Sequence, residues 1–308
     1  MRKFLPFLFA AALASSCIDN AYDLSNVNTD DVTIGDEDSE SRLPLATVYV
    51  SMSELNEGGA DIKTLFDEAD IWLPSPLPGN AAYVDLRELQ NTPETITPLL
   101  DALIDQMMDD DAKITAVADL LAEKYLSTFL PLLPPNTDPA DFKPVFIEAF
   151  RNMPMLHDRL SGEVKSLAGS YLTELKVQDV TYDIGKIDIG GDVVDMLCEN
   201  LDSEGTPNPK NTLHLYGSIT SALPVSLRLV PYFSPTNVRF DVTVEPGKTN
   251  EIRETQLFES DLRQIIEGAE IILPVSLEKY YPGYDFTSDQ QIVITLRLIK
   301  RGGLKLNL

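Results

Sequence analysis

The chain has 308 residues, with 24 basic and 49 acidic side chains and a formal net charge of −25. A surface this negative repels nucleic acid and anionic lipid head groups, so neither is expected as a partner. Apolar residues make up 44% of the chain, ample for a buried core, and the length suits one large or two modest domains.

The N-terminus carries an address. Arg2 and Lys3 are followed by an apolar run from Phe4 to Leu13, then by Ala14, Ser15, Ser16 and Cys17. Charged, apolar and small-residue parts in that order are the layout of a secretory signal. The run is shorter than the roughly 20 apolar residues a bilayer span needs, and no second run of that length follows. Leu13 to Cys17 resembles a bacterial lipobox, with Ala14 where leucine is commonest. The resemblance implies cleavage before Cys17, acylation of Cys17 and attachment to a membrane. Two or more acyl chains anchor stably, because each buried methylene contributes about 0.8 kcal/mol. An ordinary signal peptide cut near Ser16 is the competing reading.

Residues 17–41 are acidic and poor in large apolar side chains, and are expected to form a flexible tether. A short strand is expected within it at Val32 to Ile34. The pattern C-x-D-x-x-Y-D-L-S-N, from Cys17 to Asn26, resembles the N-termini of surface lipoproteins from gut-type Bacteroidetes. That resemblance implies export across the inner membrane and a lipid anchor at the outer membrane. Acidic residues directly after the cysteine go with the outer leaflet in such proteins. Only Asp19 lies close here, so the leaflet stays open.

The next elements follow from periodicity. Residues 41–53 alternate as a strand, with Leu45, Thr47 and Tyr49 on one face and Ala46, Val48 and Val50 on the other. Asp61 is placed to cap a helix holding Ile62, Leu65, Phe66 and Ala69. LPSPLPGNAAY, residues 73–83, then stops regular structure with three prolines and a glycine. Thr97-Pro98 starts a helix with an apolar stripe at Leu99, Leu100, Leu103, Ile104, Met107 and Met108. A second helix is expected over about 111–130, a third from Asp138 with Pro139 in its first turn, and a fourth over about 155–175. Residues 42–175 therefore read as a strand plus a helical region.

Beyond residue 175 the composition becomes β-rich to the end at 308. Residues 176–191, 212–231, 237–246 and 291–308 alternate apolar and polar side chains with many β-branched positions. Ile292, Ile294, Leu296 and Leu298 share one face. Short helices are expected around Val194 and Ile265, the second with Ser260 as its cap. The segments starting at Leu43, Leu223 and Leu273 echo each other as LPLATVYV, LPVSLRLV and LPVSLEKY, which hints at repeated strand starts. These elements imply an α+β fold: a helical N-terminal half and a mostly antiparallel C-terminal sheet. The strand at 41–53 is placed to join that sheet, and a sheet wrapped on long helices leaves room for an apolar groove.

Catalytic signals are sparse. There are two histidines. His157 neighbours Asp158, but adjacent helical residues point about 100° apart. His214 lies on a strand between two leucines. No nucleophile elbow, zinc-protease helix or phosphate-cradling glycine loop occurs. With Cys17 acylated, Cys198 stands alone as a small buried apolar residue on a helix. Asp109 to Asp111 and the acidic run 36–40 lack the oxygen spacing of a calcium loop. No catalytic residue, metal ligand or cofactor is assigned.

The aromatic loops carry the candidate contacts. EKYYPGYDF sets Tyr280, Tyr281, Tyr284 and Phe286 around Pro282-Gly283, and Trp72 precedes the proline-rich stretch. Such loops stack on sugar rings or form protein contacts, or else they pack over the end of the sheet. The reading is a non-catalytic, membrane-anchored envelope lipoprotein that binds a glycan, a lipid or an envelope protein. The alternatives are a structural subunit of a surface assembly and a carboxylate-based hydrolase.

Overall fold

The computed structural model describes residues 32–51, 62–177, 179–287 and 289–306. The signal segment, Cys17, the tether as far as Asp31 and the cap expected at Asp61 lie outside the described residues. The fold is α+β, with helices dominating the N-terminal half and antiparallel strands the remainder.

The chain enters with β1 (Val32–Ile34), the short strand expected there, and β2 (Glu40–Ser51). Helix α1 (Ile62–Trp72) buries Ile62, Phe66, Ala69 and Trp72 at helical spacing. After the short β3 (Val84–Asp85), Asp85 caps α2 (Leu86–Asn91) by accepting from the Glu88 amide at 2.8 Å. Helix α3 (Thr97–Asp109) starts at Thr97 with Pro98 in its first turn and buries Leu100, Leu103, Ile104 and Met107. Met108 faces solvent instead. Asp110 accepts from the amides of Ala112 and Lys113 and so starts α4 (Asp111–Lys124).

The helix expected to run to residue 130 breaks at Tyr125, where φ is −128°, and resumes as the single turn α5 (Leu126–Phe129). The break lets the Tyr125 hydroxyl donate to Glu68 at 3.0 Å. Lys124 and the Trp72 indole meet the same buried carboxylate. Helix α6 (Phe142–Asn152) follows a 3-10 turn capped by Asp138, and α7 (Pro154–Glu174) packs on it. Phe142, Phe146 and Phe150 form one stripe of α6, with successive ring centroids 5.8 Å apart.

The second half begins with β4 (Val180–Asp183) and α8 (Gly191–Cys198). Strands β5 (Thr212–Ser221), β6 (Val225–Leu229), β7 (Tyr232–Ser234), β8 (Val242–Val244) and β9 (Thr249–Leu257) follow. Helix α9 (Glu259–Gly268) precedes β10 (Glu270–Leu273), β11 (Val275–Tyr280), β12 (Gln291–Arg301) and β13 (Leu304–Leu306). Ser260 does not cap α9. Asp261 reaches back to accept from the Phe258 amide at 3.0 Å, so the cap is Phe258 and the helix starts two residues earlier.

The strands form four antiparallel sets with orders β2-β12-β5-β9, β3-β11-β6-β8, β4-β10-β7 and β1-β13. Strand β2 pairs along β12 for its whole length, which ties the N-terminal strand into the C-terminal sheet. A bulge leaves Leu45 without a register partner, since Leu296 faces Ala46 and Arg297 faces Pro44. The extra residue turns Leu45 inward with Val48 and Val50, away from exposed Thr47 and Tyr49. Of the three sequence echoes, those starting at Leu223 and Leu273 lead into β6 and β11, which pair with each other. The one at Leu43 lies in a different sheet.

The buried apolar residues form one contiguous cluster from Leu45 to Leu298, shared by helices and sheets. The apolar groove expected between them is filled by side chains. What remains there is a void of about 10 Å³ lined by Ile62, Phe66, Leu227 and Leu277, among others. Among the described residues no helix is long and apolar enough to cross a membrane.

Candidate functional site: an aromatic cleft between two loops

Strand β3 pairs with the end of β11, with Val84 opposite Tyr280 and Asp85 opposite Lys279. This register sets the proline-rich segment 73–83 beside the loop that follows Tyr280. Tyr83 and Tyr281 meet with ring centroids 5.6 Å apart, and the Lys279 ammonium lies 4.8 Å from the centre of the Tyr83 ring. Tyr284 is 65% exposed and Tyr83 38%. A recess of about 300 Å³ opens between Asp70, Ser75, Pro76, Ala82, Pro282 and Gly283. A second, of about 150 Å³, lies along Pro78, Tyr83, Asp85, Glu88 and Pro98. Leu77 and Ala81 line both, so the two form one cleft along the 73–83 segment.

The cleft is supported from below. Phe66 packs against Tyr280 at 4.6 Å and Phe286 at 4.8 Å between centroids. The Tyr280 hydroxyl donates to Asp70 Oδ1 at 2.6 Å. Burial pushes the Asp70 carboxyl above its ordinary range, opposed by the Tyr280 hydroxyl and the Gly283 amide, which favour the ionised form. Burial also pulls the Lys113 ammonium down to about 8, although Asp70 counteracts it. Lys113 donates to the carbonyls of Asp70 and Leu73 at 3.0 and 2.6 Å, satisfying the open end of α1. Gln106 holds Ser75 by both backbone groups, at 2.9 and 3.0 Å. The loop walls are thus pinned to α1, α3 and α4.

The five aromatic residues singled out in the sequence divide. Tyr281 packs against Tyr83, which lines the cleft, and Tyr284 is exposed directly after Pro282 and Gly283, which line it. Tyr280, Phe286 and Trp72 are 1%, 3% and 0% exposed, and a ligand cannot reach them. Their rings supply core area, while the polar ends of Tyr280 and Trp72 find carboxylates at Asp70 and Glu68. Tyr83 joins the cleft without having been picked out. Its only sequence signal is a position directly after the turn formers of LPSPLPGNAAY, and β3 is too short to show a period.

The remaining polar groups are structural. The His157 Nδ1–H donates to the Phe150 carbonyl at 2.7 Å, and Nε2 faces the Ser161 hydroxyl at 3.3 Å. His214 bonds Thr212 at 3.0 Å and lies 4.0 Å from Glu254. Burial, then Arg301, holds it below the ordinary histidine range. Cys198 is free and buried at the end of α8, with burial pushing its thiol up to about 11. Among the described residues no group of three or more histidine, cysteine or acidic side chains is placed to hold a metal ion. A wide recess between β8 and β9 is lined by Asp241, Thr243, Asn250, Glu251 and Arg253, without an aromatic ring.

Fold and site together define an α+β protein whose accessible aromatic cleft is built by two loops about 200 residues apart in sequence. No family profile matches the chain, and no curated protein matches it. Among solved structures, a candidate secreted protein from Parabacteroides distasonis ATCC 8503 is similar at 18% identity and a TM-score of 0.30. That alignment covers 41% of this chain and 38% of the other.

Proposed function

We propose that the protein is an exported, lipid-anchored and non-catalytic binding protein of the bacterial outer membrane, and that its ligand is a glycan held in the aromatic cleft. One observation carries the reading: Tyr83 lines an accessible recess and packs against Tyr281, and that recess shares Leu77 and Ala81 with the neighbouring one, which Asp70 lines. Sugar rings offer C–H faces to aromatic side chains and hydroxyls to carboxylates. A lipid suits the molecule less well, because the apolar void of about 10 Å³ holds no acyl chain. Export and anchoring rest on the order of Arg2, Lys3, the apolar run and Cys17.

The cleft is tested by calorimetric titration of the protein with a panel of soluble polysaccharides. Tyr284→Ala should weaken the binding seen by roughly tenfold, as loss of one stacking ring of about 1–1.5 kcal/mol implies. Binding to no glycan, or full affinity in both Tyr284→Ala and Tyr83→Ala, would refute the glycan reading. The anchor is tested separately: Cys17→Ala should release the protein from membranes, and continued retention would refute lipid anchoring.

A further inference from the structure

The cleft is one-sided in charge. Asp70, Asp85 and Glu88 line it, and among the described residues no lysine or arginine lines either recess. The cations nearby are already engaged. Lys279 lies over Tyr83 and 3.9 Å from Glu245. Arg87 lies 3.4 Å from Glu278. Lys113 is turned to the two carbonyls at the end of α1. An anionic sugar would therefore meet three carboxylates against the single nearby ammonium of Lys279, already shared between Tyr83 and Glu245, within a chain that is itself strongly negative.

From this we infer that the cleft selects uncharged sugar rings and rejects rings bearing a carboxylate or sulfate. The inference rests on the glycan reading above and deepens it. Uncharged hydroxyls donate to Glu88, Asp85 and Asp70 at little cost. A sugar carboxylate in the same place is repelled, by roughly three- to tenfold in affinity for each carboxylate within about 7 Å at near-surface dielectric. Stacking on Tyr83 does not discriminate between the two, since both present the same ring faces. The selection lies in the charge of the wall.

Matched polymers make the test. Galactan is compared with polygalacturonate, mannan with polymannuronate and dextran with dextran sulfate, by titration calorimetry at about 20 and 150 mM salt. Binding should be confined to uncharged members, or favour them by at least tenfold, with the preference greatest at low salt. Glu88 is exposed on the first turn of α2, so Glu88→Lys should fold normally and raise the affinity for the charged member by about three- to tenfold. Equal or tighter binding of the charged member by the unaltered protein would overturn the inference and leave the glycan reading standing. Binding of neither member of any pair would remove the glycan reading and this inference with it. A Glu88→Lys variant that folds, by circular dichroism, yet leaves the ratio unchanged would also overturn it.

Discussion

Tyr280→Phe tests how the floor of the cleft is held. The substitution keeps the ring that packs on Phe66 and removes only the hydroxyl that donates to Asp70 at 2.6 Å. A hydrogen bond to a charged group contributes about 1.5–3 kcal/mol. Asp70 retains the Gly283 amide and the nearby Lys113 charge, so the lower part of that range applies, about 1.5–2 kcal/mol at pH 7. For a chain of this size that lowers Tm by roughly 2–4 °C. The pH dependence carries the sharper signature. Burial raises Asp70 above its unfolded value, so its contribution is fully present below about pH 4 and is lost as pH rises through the folded value. The Tyr280 hydroxyl opposes that rise, and its removal moves the folded value further up. The variant therefore loses more than the unaltered protein between pH 4 and pH 7, by about 1 kcal/mol. Urea denaturation of both proteins at the two pH values measures it. A variant within 0.5 kcal/mol at pH 7, or a deficit that widens on acidification, would refute the account. Tyr280→Ala should cost far more, about 3–5 kcal/mol, because it also empties the ring's place beside Phe66.

Three further outcomes are expected. A methyl group on Gly217 would lie 1.9 Å from the Thr295 carbonyl oxygen, in the centre of the β2-β12-β5-β9 sheet. Gly217→Ala should therefore cost at least about 3 kcal/mol or prevent folding, and stability like that of the unaltered protein would show that the two strands are not so close. Cys198 should react with iodoacetamide at pH 8 on the order of a hundredfold more slowly in the native state than in urea, because burial raises its thiol; equal rates would contradict its burial at the end of α8. His214 should titrate below the usual histidine value of about 6.5. A depressed histidine contributes stability above its unfolded value that is lost as pH falls through the folded one. His214→Gln should accordingly flatten the fall in stability below about pH 6.5, and an unchanged slope would exclude His214 as its source.

The site was less legible than the fold, and the reason is range. Tyr281 and Tyr284 stood out because aromatic residues crowd around a proline and a glycine. Tyr280 and Phe286 stood out on the same ground yet lie in the core, since composition cannot say which residue of a strand end turns inward. The β3–β11 register settles that. Tyr83 had no signal of its own, because its neighbour across the cleft is about 200 residues away in the chain.

The apolar spacing of Ile62, Phe66 and Ala69, and of Leu100, Leu103 and Met107, was sufficient to place α1 and α3. Alternation from Ile292 to Leu298 was sufficient for the buried face of β12. These are local periods of 3.6 and 2 residues, and burying one face of a helix or strand requires them wherever that element sits. The sequence pointed β2 to the C-terminal sheet, but only the tertiary structure decided that its partner there is β12, that a bulge turns Leu45 inward, that α4 stops at Tyr125 beside Glu68, and that two distant loops enclose one cleft. Each depends on hydrogen bonds or contacts between segments far apart in sequence, and these leave no period in either segment.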